Sequence, residues 1–178
     1  MIREFRINPK PENNNARVMV TLLGVVGAVV FCVSTFIEKY RGLVALVAMA
    51  FIVAALTIAV KYLLSEYTYE VVDADGEWLF VVGQRSGQRY TTLSRVELAS
   101  IISIERTEAK KREKPSKDFA CYSYIPTLMA ESFYVMKIVS RYEKAEIALQ
   151  LTDEMASLLR SYAEEARALS AYDDYEVN

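Results

Sequence analysis

Val18–Ile37 reads VMVTLLGVVGAVVFCVSTFI, and four residues later Gly42–Val60 reads GLVALVAMAFIVAALTIAV. Neither run contains a charge. A hydrocarbon core of about 30 Å is crossed by about 20 helical residues, and a lone segment in lipid satisfies its own backbone polar groups only as a helix. Each run is therefore read as one span, 18–37 and 42–63. The connector Glu38-Lys39-Tyr40-Arg41 makes them a tight hairpin. The first run is too long for a signal-peptide core and lacks a small-x-small cleavage site after it, so it reads as an uncleaved anchor.

Charges flanking the spans give an orientation. Arg3, Arg6, Lys10, Arg17 and Lys61 lie on the side of the two hairpin ends, against Lys39 and Arg41 in the connector. The positive-inside rule then predicts a multi-pass protein of the cell (plasma) membrane with both termini cytoplasmic. Tyr40 and Tyr62 suit interfacial anchors, and Lys61 can snorkel to the headgroups. Within the spans, Gly24, Ala28 and Cys32 repeat every fourth residue, as do Ala50 and Ala54. Small residues at that spacing let helices approach, and they are the candidate helix-packing positions, within the hairpin or between copies. No Asp, Glu, Lys or Arg lies mid-span, which argues against a transporter or channel built by this chain alone.

Outward from the hairpin the composition becomes that of a globular chain. Hydrophobic residues make up 53% of the 178, the excess lying between Val18 and Leu64. Residues 65–178 carry fourteen Lys and Arg against twenty Asp and Glu, a balance unsuited to nucleic acid. There is no histidine, so His-dependent nucleophile systems are excluded, and with them the commonest zinc ligand. Cys32 lies inside a span and Cys121 far from it, so neither suggests a disulfide, and Cys121 is expected as a half-buried strand residue. No P-loop, dinucleotide turn or metal-ligand spacing is present. The reading is non-enzymatic, with no catalytic residue, cofactor or metal.

Four domains follow. Residues 1–16 are a mostly irregular lead-in rich in Pro and Asn, although Ile2, Phe5 and Ile7 are apolar enough to lie on the membrane surface or to join a sheet. Residues 17–64 are the hairpin, 65–170 a folded domain and 171–178 an acidic, frayed tail. Within 65–170 the period changes to two. Tyr67, Tyr69 and Val71 alternate with polar residues, Asp73-Ala74-Asp75-Gly76 is a hairpin turn, and Trp78, Phe80 and Val82 alternate in the next strand. Further strands are predicted at 89–93, 98–107, 119–125, 132–140 and 144–151, the fourth dense in β-branched residues. Met155, Leu158, Leu159, Tyr162, Ala163, Ala166 and Leu169 then fall on one helical stripe, with Thr152 as N-cap and Asp153 and Glu154 in the first turn.

The runs TYEVVDADGEWLFVV, RVELASIISIERT and KAEIALQL, followed by DEMASLLRSYAEEA and preceded by two spans, resemble the bacterial membrane-anchored pleckstrin-homology-like (PH-like) proteins over about residues 17–169. The resemblance implies an α+β membrane protein. A two-helix transmembrane hairpin would be followed by a seven-stranded antiparallel barrel capped by a C-terminal helix. It also implies a binding or scaffold module displayed at the cytoplasmic membrane surface, and it carries over no residue set. Phosphoinositide-binding PH domains use the loop after the first strand; here that loop is Asp73-Ala74-Asp75-Gly76, which repels phosphate.

Besides the bilayer, a protein partner or a second copy is expected. The alternatives are an anionic-lipid-contacting module and an accessory subunit of a membrane transporter or enzyme complex. Lys110, Lys111, Arg112 and Lys114 are the candidate membrane-surface contacts, in a loop that also holds Arg106 and Lys117. Glu105, Glu108, Glu113 and Asp118 interleave with them and reduce the local charge. Tyr122, Tyr124 and Tyr134, among twelve tyrosines, are a candidate partner face or ordinary sheet packing.

Overall fold

The computed structural model describes residues 2–9, 13–111, 118–140 and 143–176, the side chains of 171–176 apart. The chain divides into two units, Pro11–Ser65 and a second made of Met1–Lys10 with Glu66–Asn178.

The first unit is a helical hairpin. Helix α1 spans Asn14–Ser34, and α2 spans Arg41–Ile58 and continues as a π-helical turn, Ala59–Leu63. At about 1.5 Å per residue, both are long and apolar enough to cross a membrane, and little of either is buried. That exposure separates them from the core helix of a soluble protein, because Val18, Leu22, Leu43, Leu46 and Leu56 all face outward. Helix α1 ends before the expected Ile37. The hydroxyls of Ser34 and Thr35 donate to the carbonyls of Phe31 and Cys32 at 2.6 and 2.7 Å, competing with continued helix. At the open end Asn13 Nδ2 donates to the Tyr62 carbonyl and Ser65 Oγ to that of Val60 at 2.8 Å, satisfying carbonyls that the end of α2 leaves free.

Within the hairpin, the helices do not meet along the candidate small residues. The buried positions are Ala16, Gly27 and Ser34 on α1 and Ala48 and Ala55 on α2. A Cβ at Gly27 would lie 3.0 Å from Ile52 Cγ1 and 3.4 Å from the Ala48 carbonyl oxygen, whereas one at Gly24 would meet nothing within 4 Å. Ala28, Cys32, Ala50 and Ala54 are exposed. The reason is rotational. Four residues advance about 40° past a full turn, while seven miss two turns by only about 20°. Gly27 and Ser34, like Ala48 and Ala55, stand seven apart and stay on the seam.

Among the described residues, the second unit holds two four-stranded sheets and one α-helix. The first sheet runs β1 (Phe5–Ile7), β2 (Ser65–Ala74), β3 (Glu77–Ser86) and β4 (Arg89–Glu97), in that order across the sheet. The β2–β3 turn is the Asp75-Gly76 pair, both at positive φ (57° and 92°), with the Gly76 N–H on Asp73 Oδ1 at 2.9 Å. This is the chemistry that a two-residue hairpin of the strands' own twist demands. The second sheet contains β5 (Ile101–Glu108), β6 (Ala120–Tyr124), β7 (Ser132–Val139) and β8 (Lys144–Leu149), ordered β5-β7-β8-β6.

Two expectations are corrected here and one alternative is decided. The domain is two sheets of four strands, not one closed seven-stranded barrel. An eighth strand, β1, comes from the mostly irregular lead-in, where Phe5 and Ile7 take the sheet alternative: Phe5, Arg6 and Ile7 pair antiparallel with Val71, Glu70 and Tyr69. Nor is the second sheet wholly antiparallel. Strand β6 leaves the meander and pairs parallel with β8, Ala120 opposite Ala145 and Tyr124 opposite Leu149. β7 instead returns to β5, and β8 to β7.

Helix α3, Asp153–Glu176, lies against both sheets in one core. Thr152 Oγ1 accepts the Met155 N–H at 3.3 Å, an N-cap as expected. Met155, Leu159, Tyr162, Ala163 and Ala166 are buried with Tyr69, Phe80, Val82, Leu98, Ile104, Met136, Ile147 and Leu149. Each large apolar side chain so removed from water stabilises by about 1.5–3 kcal/mol before entropy. Leu158 and Leu169 of the predicted stripe are exposed, and the helix continues through the segment read as a frayed tail.

Candidate functional site

Among the described residues, strand β5 is an edge of its sheet, with β7 as its hydrogen-bonded neighbour. In an antiparallel pair, alternate residues turn both backbone polar groups toward the partner and the rest turn them away. Ile104 is one of the latter. Its carbonyl oxygen accepts Arg160 Nε at 2.8 Å and Nη2 at 2.5 Å, so one guanidinium from α3 caps the outward strand edge. The register shifts between Ile101 and Ser103, which takes Ile102 out of alternation, and that residue is 56% exposed.

Between this edge and the helix lies a groove of about 200 Å³. Ile101, Ile104 and Ala163 give it an apolar floor, and Arg160, Glu164 and Arg167 line the helix side. Positions 160, 163, 164 and 167 are i, i+3, i+4 and i+7, hence one helix face. Arg167 Nε rests on the Ala163 carbonyl at 3.2 Å. The geometry can do one thing chemically: offer the backbone of an edge strand beside a partly apolar, locally basic helix wall. None of these side chains stands out in the sequence alone. The one available signal is the pair of arginines seven apart on the polar side of the α3 stripe, Arg160 and Arg167.

The start of α3 is fixed nearby. Asp153 accepts Tyr134 Oη from β7 and lies 3.4 Å from Arg106 Nη1 of β5. That carboxylate bond pushes the Tyr134 hydroxyl above its ordinary range, with burial adding to the effect.

The residues singled out from sequence scatter. Lys110 and Lys111 lie exposed in the short 3-10 turn after β5, and Lys111 pairs with Glu108 at 3.0 Å. Arg112, Lys114 and Lys117 lie outside the described residues. Cys121, expected half-buried, is exposed on β6. Tyr122 and Tyr124 stack with ring centroids 6.3 Å apart, because i and i+2 share a strand face. Tyr122 donates to Glu143 at 2.7 Å, and that bond raises its pKa. Tyr134 is apart from them, engaged with Asp153.

A separate array crosses the first sheet. Arg6 of β1 lies 2.9 Å from Glu70 of β2 and stacks over the Tyr90 ring of β4 at 5.8 Å. Tyr90 Oη reaches Glu70 at 3.3 Å by passing over Gly83 of β3.

Two packed sheets closed by a C-terminal helix make this a PH-like domain. The comparison with family models agrees: residues 7–167 match the family described as Bacterial PH-like domain (DUF6106), and the chain belongs to it. The match includes the two apolar helices near the N-terminus. No curated protein matches the chain.

Proposed function

We propose that this protein is a non-enzymatic, membrane-anchored interaction module that holds a PH-like domain at the cytoplasmic surface and receives a protein partner at the β5–α3 groove. The observation that carries the reading is the outward edge of β5, capped at the Ile104 carbonyl by the Arg160 side chain and flanked by an exposed isoleucine and a helix wall. Strand edges of this kind bind extended segments by adding them to the sheet. Anchoring is supported by the length and exposed apolar surface of α1 and α2. The common side of the two hairpin ends is supported by strand pairing. β1 precedes the hairpin in sequence, β2 follows it, and the two are hydrogen-bonded neighbours. Tethering raises the effective concentration of the domain near membrane partners without any new contact.

The test is in-cell photo-crosslinking of the full-length protein, with the reactive residue placed at Ile102 or, as a control on the far sheet, at Arg89. A discrete protein adduct from Ile102 and none from Arg89 is the expected result. Adducts only to lipid, or only between copies, overturn the protein-partner reading.

A further inference from the structure

The groove also indicates what kind of segment it takes, an inference that rests on the interaction reading above. We propose that its ligand is an extended acidic peptide segment that adds to β5 as a further strand. A backbone N–H of the segment replaces the Arg160 guanidinium on the Ile104 carbonyl, and an aspartate or glutamate side chain takes up the released guanidinium together with Arg167.

Three observations combine. First, Arg160 spends two donors on one backbone carbonyl. A carboxylate is the better partner for that planar fork, since it accepts two parallel bonds and carries the opposite charge. The exchange therefore leaves both the carbonyl and the guanidinium satisfied. Second, the groove is locally basic, with Arg160 and Arg167 against Glu164, in a domain whose overall balance is acidic. An acidic segment is thus favoured at this groove and disfavoured on most of the remaining surface. Third, the backbone of Ile104 faces outward, and the strand alternation turns that of Arg106 the same way, so a segment of several residues finds successive partners two apart. The exposed Ile102 at the mouth supplies an apolar contact for an alternate side chain of the segment.

The experiment uses full-length protein in nanodiscs of zwitterionic phosphatidylcholine. Fluorescent nonapeptides of alternating valine and glutamate, acetylated and amidated at their ends, are titrated against otherwise identical glutamine and lysine peptides. The glutamate peptide is expected to bind at least about tenfold more tightly than the glutamine peptide, and the lysine peptide not at all, the scale of one lost charge-assisted bond. Arg160→Gln and Arg167→Gln should each remove about that factor, and the double variant Arg160→Glu/Arg167→Glu should transfer binding to the lysine peptide. A glutamate peptide N-methylated at alternate backbone nitrogens should lose binding on one of its two edges of methylation and keep it on the other.

Equal binding of the three peptides, or binding indifferent to N-methylation on either edge, overturns the proposal. Circular dichroism of each variant establishes that it is folded, and Arg167→Gln, which leaves the Arg160 cap in place, carries the test if Arg160→Gln does not fold. If acidic peptides fail while the Ile102 crosslink to a protein persists, this proposal falls and the interaction reading stands. If acidic peptides bind but no protein is crosslinked from Ile102 in cells, the groove's preference for an acidic strand stands as a binding property and the reading of it as a cellular partner site falls.

Discussion

The phenol of Tyr69 on β2 donates to the backbone carbonyl of Tyr124 on β6 at 2.9 Å and accepts the Gln150 N–H beyond β8 at 3.2 Å. One fully buried hydroxyl thus joins the first sheet to the displaced strand of the second. Tyr124 completes the corner, its own hydroxyl lying 3.5 Å from the Leu93 carbonyl of β4.

Tyr69→Phe should destabilise the domain by about 1–3 kcal/mol, because it leaves a carbonyl and an N–H unpaired in the interior. Burial, the largest effect, pushes the Tyr69 pKa upward from its usual 10.0. The folded pKa exceeds the unfolded one, so the contribution is fully present below pH 10 and is lost as pH rises from there toward the folded pKa. Thermal melts of the full-length protein in detergent between pH 8 and 11.5 should show a shallower alkaline decline for Tyr69→Phe than for the native chain.

Gly83 is required by Tyr90. A Cβ at residue 83 would lie 2.2 Å from the Tyr90 hydroxyl oxygen. Gly83→Val should cost about 1–3 kcal/mol through overpacking and loss of the Tyr90–Glu70 bond. Adding Tyr90→Ala should restore part of it, a non-additivity that a double-mutant cycle by chemical denaturation will read. Strictly additive effects would mean that the two side chains do not compete for the space.

In the hairpin, Gly27→Leu should force the helices apart, because its Cβ alone already meets Ile52 and the Ala48 carbonyl. Gly24→Leu adds a side chain into open space and should leave stability nearly unchanged. Melting of the two variants in micelles separates a seam at residue 27 from one at residue 24. The opposite ranking would return the contact to the every-fourth-residue stripe.

Thr152→Ala should remove about 1 kcal/mol, the usual value of an N-cap, and Thr152→Ser should recover most of it. Hydrogen exchange at the Met155 amide is the local readout.

Membrane topology has a direct test in Cys121, which is exposed on β6. In intact cells it should resist a membrane-impermeant maleimide, while a cysteine substituted for Glu38 in the connector should react. Labelling of Cys121 with protection at position 38 would reverse the orientation.

What the sequence by itself determined was whatever local chemistry dictates. Two uncharged runs of about twenty residues specify helices long and apolar enough to cross a membrane, because a helix pairs its backbone polar groups within the segment. Asp75-Gly76 specifies its hairpin because those residues tolerate positive φ, and Thr152 opens α3 because its hydroxyl replaces a missing carbonyl. The tertiary structure alone decided which edges meet. Any strand edge can satisfy any other, so nothing local in Ala120–Tyr124 says that it will lie parallel to β8, and nothing in Phe5–Ile7 that it will cross the length of the hairpin in sequence to reach β2. The same holds for Arg160, an ordinary polar-face residue until the fold brings the Ile104 carbonyl within 2.8 Å of it. Local rules act over a turn of chain; strand order and the groove arise from burying one shared core, a condition met only when the whole domain closes.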